Sequence, residues 1–342
     1  MNKKEPTPTK KNRHQQKRTD TNKKEPTPIE NKPKVIVIVG PTASGKTALS
    51  IELAKKINGE IVSCDSMQIY KDMDIGSAKP SIEEMQGIKH YMIDVVKPDE
   101  RFSVAEYKKQ AEKAIEEILS KGKTPIVIGG TGLYADSLIY SIEYPEIEFD
   151  QNYRIKLEKK ANTQEGLIEL YNEAKRIDEE AIKKISENDK KRIIRILEVF
   201  HSTGKTKTQL EIESRRNEVK YDYRVFAIDM NREILYDRIN KRVDIMIENG
   251  LIQEVKNLLN TYGSFPTAMQ GLGYKEVVEY LDGKLTKEEM IEKIKQETRR
   301  YAKRQLTWFR KNKQTIWING LDDMQNNINI ILEGMNWVNL YT

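Results

Sequence analysis

Eight consecutive residues, Gly40, Pro41, Thr42, Ala43, Ser44, Gly45, Lys46 and Thr47, have the types and order needed to grip a phosphate group. Two glycines let a backbone wrap an anion, and the amide N–H groups of such a nest turn inward towards it. Lys46 adds a point charge at a helix start, where the aligned peptide dipoles also favour negative charge. Thr47 supplies a hydroxyl able to ligate Mg2+. The pattern G-x-x-x-x-G-K-[ST] carries this meaning between a buried strand and a helix. Here the apolar run Val35-Ile36-Val37-Ile38-Val39 precedes it, and the helical spacing Leu49, Ile51, Leu53, Ala54, Ile57 follows. A phosphate-binding loop (P-loop) is therefore expected.

Other groups fall where strands should end. Asp65 follows the apolar run Ile61-Val62-Ser63-Cys64, and carboxyl ends of parallel strands line the ligand crevice. It reads equally as a general base, a magnesium partner or a cap on the next turn. Asp94 closes Tyr91-Met92-Ile93 and is either a metal-supporting carboxylate or an ordinary strand-end acid. Gly129-Gly130-Thr131-Gly132 marks a turn where the backbone approaches a ligand or a neighbouring element. Two basic clusters remain, Lys190-Lys191-Arg192 with Arg195, and the stretch from Arg299 to Lys311. The second interleaves cations with Tyr301, Trp308 and Phe309, a mix suited to RNA phosphates and bases, or to an amphipathic helix with a solvated face.

To position these groups the chain must alternate strand and helix. Strands are expected at Val35–Val39, Glu60–Cys64, Tyr91–Val95, Pro125–Ile128, Arg224–Asp229 and Ile316–Asn319, with helices at Lys46–Ile57 and Val104–Lys121. That order predicts an α/β fold: a P-loop parallel sheet covered by helices on both faces. Between about Ser141 and Arg216 no strand run appears, so a helical insertion is expected there. Further helices are expected at Arg238–Glu248, Glu254–Leu259, Lys275–Leu281 and Lys287–Lys311. The organisation is thus a tail over 1–34, a catalytic core over 35–140 and 217–342, and an insertion over 141–216.

Charge sharpens this division. The 342 residues carry a net +6, yet residues 1–34 alone carry +7, leaving the rest at −1. That tail repeats NKKEPTP at 2–8 and 22–28 and has almost no apolar side chains, so disorder is expected, as an RNA tether or a solvated extension. A single cysteine, Cys64, excludes an internal disulfide. His14, His90 and His201 have no metal-ligand spacing. With no long apolar run and no apolar leader, a cytoplasmic protein without membrane partners is expected, acting as a monomer.

Taken together, Gly40–Thr47 (GPTASGKT), Asp65–Tyr70 (DSMQIY), Met73–Pro80 (MDIGSAKP), Gly129–Tyr134 (GGTGLY), Asn188–Val199 (NDKKRIIRILEV), Ala268–Glu276 (AMQGLGYKE) and Tyr301–Arg310 (YAKRQLTWFR) closely resemble the bacterial tRNA dimethylallyltransferases, from about Val35 to Phe309. Ser77, Tyr91 and Ile196 depart mildly from the family pattern, and none removes a charged group. The resemblance implies transfer of a dimethylallyl group from its diphosphate to N6 of the adenosine just 3′ of the anticodon, with Mg2+ on Thr47. It implies that Asp65 is the general base and that Thr131 and Arg242, the latter preferred over Arg238, contact the diphosphate. It further implies RNA contacts along Asp65, Ser66, Met67 and Gln68, at Thr131 and Arg154, along Lys191, Arg192, Ile193, Ile194 and Arg195, and along Gln270, Gly271, Leu272, Gly273, Tyr274 and Lys275. The alternatives are a P-loop nucleoside or small-molecule kinase, which would move a phosphoryl group, and an RNA-binding module without chemistry.

Overall fold

The computed structural model describes residues 32–144, 150–214, 218–263 and 265–335. The expected tail therefore lies outside the described residues up to Asn31. Among those described, six strands form one parallel sheet: β1 (Lys34–Val39), β2 (Gly59–Ser63), β3 (His90–Tyr91), β4 (Thr124–Gly129), β5 (Asp222–Asp229) and β6 (Ile316–Asn319). Their order is β3-β2-β4-β1-β5-β6, so β1 is central and pairs with β4 and β5.

Strand periodicity explains how this sheet is covered. Successive side chains point to opposite faces, and in β1 Val35, Val37 and Val39 enter one core while Ile36 and Ile38 enter another. The valine face packs on Tyr107, Ala111 and Ile115 of the helix Val104–Ser120 and on Leu138 of Gly132–Ile139. The isoleucine face packs on Leu49 and Leu53 of Lys46–Ile57 and on Ile331 of Met324–Met335. Burial on both faces makes the continuous apolar runs necessary.

The strand expected at Tyr91–Val95 is the main correction to the fold. It ends at Tyr91 because Met92 and Asp94 take left-handed conformations (φ 62° and 55°), which a strand cannot contain. Asp94 is consequently a loop residue, and its carboxylate pairs with Lys79, which also bonds Asp74 and the Tyr70 carbonyl. It does not line the phosphate-loop cavity.

Residues 150–214 are helical and hold a core of their own. Leu157, Leu167, Leu170, Ile193, Ile194, Ile196 and Leu197 meet inside it, drawn from the helices Gln151–Lys160, Gln164–Ile177 and Lys190–Thr203. The helix expected to begin at Arg238 starts at Arg232, where the Asn231 side chain accepts the Glu233 N–H at 2.9 Å.

Where β2 and β4 end, two backbones nearly touch. The Cys64 carbonyl accepts the Thr131 N–H at 3.1 Å, and a β-carbon on Gly129 would sit 2.0 Å from that carbonyl oxygen. Gly129→Ala is therefore expected to lower stability by about 2 kcal/mol, the scale of forced overpacking. Denaturant unfolding of the variant against the parent checks this.

Candidate active site

The phosphate loop follows β1 directly and is shaped by left-handed residues at Ala43 (φ 61°) and Gly45 (φ 90°). Gly40 and Pro41 are buried, while Thr42, Lys46 and Thr47 reach a cavity of about 410 Å³. Lys46 Nζ donates to the Pro41 carbonyl at 2.6 Å, folding its side chain back over the loop. Ser44 Oγ is buried and has no hydrogen-bond partner among the described residues. An orphaned hydroxyl inside a nest of this kind is the sort of group a bound anion satisfies.

Several further segments close the same cavity. From the end of β2 come Asp65, Ser66, Met67 and Gln68. Asp65 Oδ1 accepts the Met67 N–H at 2.9 Å, and Gln68 bridges Ser63 Oγ (2.9 Å) and the Ala78 carbonyl (3.2 Å). The helix Arg232–Glu248 contributes Arg242, whereas Arg238 is exposed and lines no part of it. The turn before the helix Tyr274–Leu281 contributes Gln270, Gly271, Leu272 and Gly273. A second opening of about 850 Å³ shares Lys46, Thr47 and Arg242.

Electrostatics in this cavity are unusual. Burial, and then the nearby Arg242 guanidinium, lower the Lys46 ammonium to a pKa of about 7, with Asp65 opposing the shift. Burial likewise draws Arg242 down against the pull of Asp65. Tyr301 is pushed up to about 12, first by burial and then by Asp65. Two desolvated cations facing one carboxylate make a site poised for a polyanion.

Several expected residues lie elsewhere. Thr131 caps the helix Gly132–Ile139 and is not on the cavity wall; its hydroxyl accepts the Ser66 N–H at 3.0 Å. Arg154, Lys191, Arg192, Ile193, Ile194 and Arg195 all belong to the helical insertion and line no part of the cavity. The Ile193 and Ile194 side chains are buried in its core, so direct RNA contact by them is corrected to a packing role. Tyr274 is fully buried and donates its hydroxyl to Glu254 at 2.8 Å, which corrects it in the same way, and Lys275 is exposed. Arg154 binds Glu158 at 2.8 Å and the buried Glu198 at 3.1 Å.

Sequence reasoning missed other contributors. Thr298, Tyr301, Arg304 and Gln305 line the cavity from the helix Lys287–Phe309. Their i, i+3, i+6, i+7 spacing marks one helical face, and the stretch reads either as an RNA patch or as an amphipathic helix with a solvated face, not as a cavity wall. Trp308 instead donates to Asp136 at 3.0 Å, and Phe309 is buried. Glu254 accepts the N–H groups of Asp74, Ile75 and Gly76 at 2.9, 2.7 and 3.1 Å, steadying the loop that carries Ser77 and Ala78 into the wall.

The donor set also bears on a metal. Among the described residues no group of three or more His, Cys, Asp or Glu side chains could hold one. One hydroxyl, Thr47, beside Asp65 suits a hard cation that takes its remaining ligands from phosphate oxygens and water.

Comparisons with known proteins bear on the family and the fold. A family model described as IPP transferase matches residues 68–312. A tRNA dimethylallyltransferase of Acetivibrio thermocellus is 55% identical over 286 residues, covering 83% of this chain and 91% of that protein. One from Halothermothrix orenii is 52% identical, covering 83% and 87%. Among solved structures, the tRNA isopentenylpyrophosphate transferase of Bacillus halodurans superposes with TM-score 0.66 at 41% identity, covering 89% of this chain and 97% of that one. A eukaryotic dimethylallyltransferase acting on tRNA gives TM-score 0.74 at 32% identity, covering 89% and 80%.

Proposed function

Because the chain belongs to the IPP transferase family, we propose that it transfers a dimethylallyl group from dimethylallyl diphosphate to N6 of the adenosine 3′-adjacent to the anticodon in tRNA. The observation that carries this reading is one cavity holding both an anion cradle, with Lys46, Thr47 and Arg242, and a carboxylate, Asp65. What favours this reading over a kinase is the relatives, which are named tRNA dimethylallyltransferase and tRNA isopentenylpyrophosphate transferase.

In the reaction the N6 lone pair forms a bond to C1 of the dimethylallyl group. The bond from C1 to the diphosphate oxygen breaks, and its electron pair leaves with pyrophosphate. Asp65 takes the proton that N6 sheds. The loop amides from Ala43 to Thr47, with the Lys46 and Arg242 side chains, stabilise the charge that develops on the leaving oxygen. Thr47 would hold Mg2+, which when bound supplies a Lewis-acid partner for the diphosphate oxygens. Thr131 acts from behind the wall, orienting Ser66 beside Asp65.

The target base is inaccessible while stacked, so it must be turned out of the loop into the cavity. Asp65 to Gln68 and Gln270 to Gly273 form its walls in this reading. The exposed Lys191 and Arg192 would meet the anticodon stem from the insertion, with Arg154, Arg195 and Lys275 as further cations. With tRNA as substrate, the protein works in the cytoplasm as a monomer; among the described residues no helix is long and apolar enough to cross a membrane.

Mass analysis of nucleosides from tRNA incubated with the protein, Mg2+ and dimethylallyl diphosphate tests the proposal. One adenosine should gain a C5H8 unit with release of pyrophosphate. Unaltered adenosines, together with movement of ATP's terminal phosphate to an acceptor, would establish the kinase instead.

A further inference from the structure

Gln305 lies one turn beyond Tyr301 and is 6% exposed. Its Oε1 accepts the Thr42 N–H of the phosphate loop at 3.0 Å, and its Nε2 donates to the Gly130 carbonyl, after β4, at 2.9 Å. The amide can face in only one direction, because a backbone N–H only donates and a carbonyl only accepts. Thr42 thus spends its N–H on Gln305. The fit is tight: a β-carbon on Gly130 would lie 2.2 Å from Gln305 Nε2. One side chain from a distant helix therefore joins the loop that cradles the anion to the turn that carries Thr131.

We propose that Gln305 is a positioning residue for the diphosphate. It locks the two loops at the separation in which the remaining amides of one, and Ser66 as held by Thr131 of the other, address a single ligand. Resting on the function proposed above, this assigns Gln305 a role without contact to the reacting atoms. Losing the side chain leaves the buried Gly130 carbonyl and the half-buried Thr42 N–H unpaired and frees the loops to part, so the effect should fall on pyrophosphate rather than on RNA.

The test titrates inorganic pyrophosphate with Mg2+, and separately tRNA, into the full chain and four variants. These are Gln305→Ala, Gln305→Met, which keeps the volume, Gly130→Ala, and the double variant Gly130→Ala/Gln305→Ala. Each Gln305 variant should bind pyrophosphate roughly tenfold more weakly, the scale of one lost buried hydrogen bond, with tRNA affinity within about twofold. Gly130→Ala should match them by expelling Gln305. The double variant should be no weaker than either single change, because the new methyl group occupies the vacated space. Strictly additive losses, unaltered pyrophosphate affinity, or parallel loss of tRNA affinity and melting temperature would overturn the assignment. A parent protein that binds no pyrophosphate would overturn both this proposal and the function beneath it, whereas a binding parent with unaffected variants sinks Gln305 alone.

Discussion

Asp65→Asn should lower the turnover rate by two or more decades while leaving tRNA affinity nearly unchanged. The asparagine oxygen can still accept the Met67 N–H that Asp65 holds at 2.9 Å, so the turn survives. What disappears on the proposed mechanism is the acceptor for the N6 proton, and removing a positioned base costs about two to four decades. Asp65 also raises the Lys46 pKa, so its removal should leave Lys46 less readily charged. Single-turnover rates should therefore be taken near pH 6, below the Lys46 transition, to isolate proton transfer from anion binding. Asp65→Ala should lose as much turnover and slightly more stability. A matching loss of tRNA binding and turnover in Asp65→Asn would make Asp65 a structural group and leave the base unassigned.

Much of this site was legible because its chemistry is local. Gly40 to Thr47 form a continuous loop whose proposed role rests on eight adjacent residues, and the helix Lys46–Ile57 falls where its apolar spacing put it. The central strands were legible too, since β1, β4 and β5 are buried on both faces and read as unbroken apolar runs. The failure at Tyr91–Val95 has a definite origin. Side-chain polarity reports which face is buried, but it does not report the sign of φ at Met92 and Asp94. Met92 gives no compositional warning of a left-handed turn, and Asp94, a residue type enriched there, gives a weak one.

Long-range partners were the other blind spot. Gln305 meets Thr42 across 263 residues, and Glu254 meets Ile75 across 179, so no window along the chain contains either pair. A motif also blurs the two sides of a helix. Ile193 and Ile194 sit among cations in the sequence, yet their side chains point into the insertion's core while Lys191 and Arg192 face outward. The stretch ending at Phe309 was open between an RNA patch and an amphipathic helix, and Trp308 and Phe309 pack inward as the second requires while Tyr301 and its neighbours reach the cavity.

Lys46 should give the active site a pH dependence of its own. In the unliganded protein its pKa of about 7 leaves the ammonium charged below that value and neutral above it. A bound diphosphate favours the charged form, so above pH 7 binding must take up a proton. kcat/KM for dimethylallyl diphosphate should then fall by up to about tenfold for each pH unit above 7, while tRNA affinity follows no such curve. Arg242 supplies the second cause of the depression, after burial. Arg242→Gln should accordingly move the fall to higher pH, although removing a phosphate partner weakens catalysis throughout. Lys46→Met should abolish the fall and reduce kcat/KM by roughly two to three decades at pH 6, where the parent lysine is charged. Profiles of kcat/KM against pH for the three proteins, at saturating tRNA and Mg2+, separate these effects. An unchanged decline in Lys46→Met would assign the titration to another group and remove Lys46 from the grip on the leaving group.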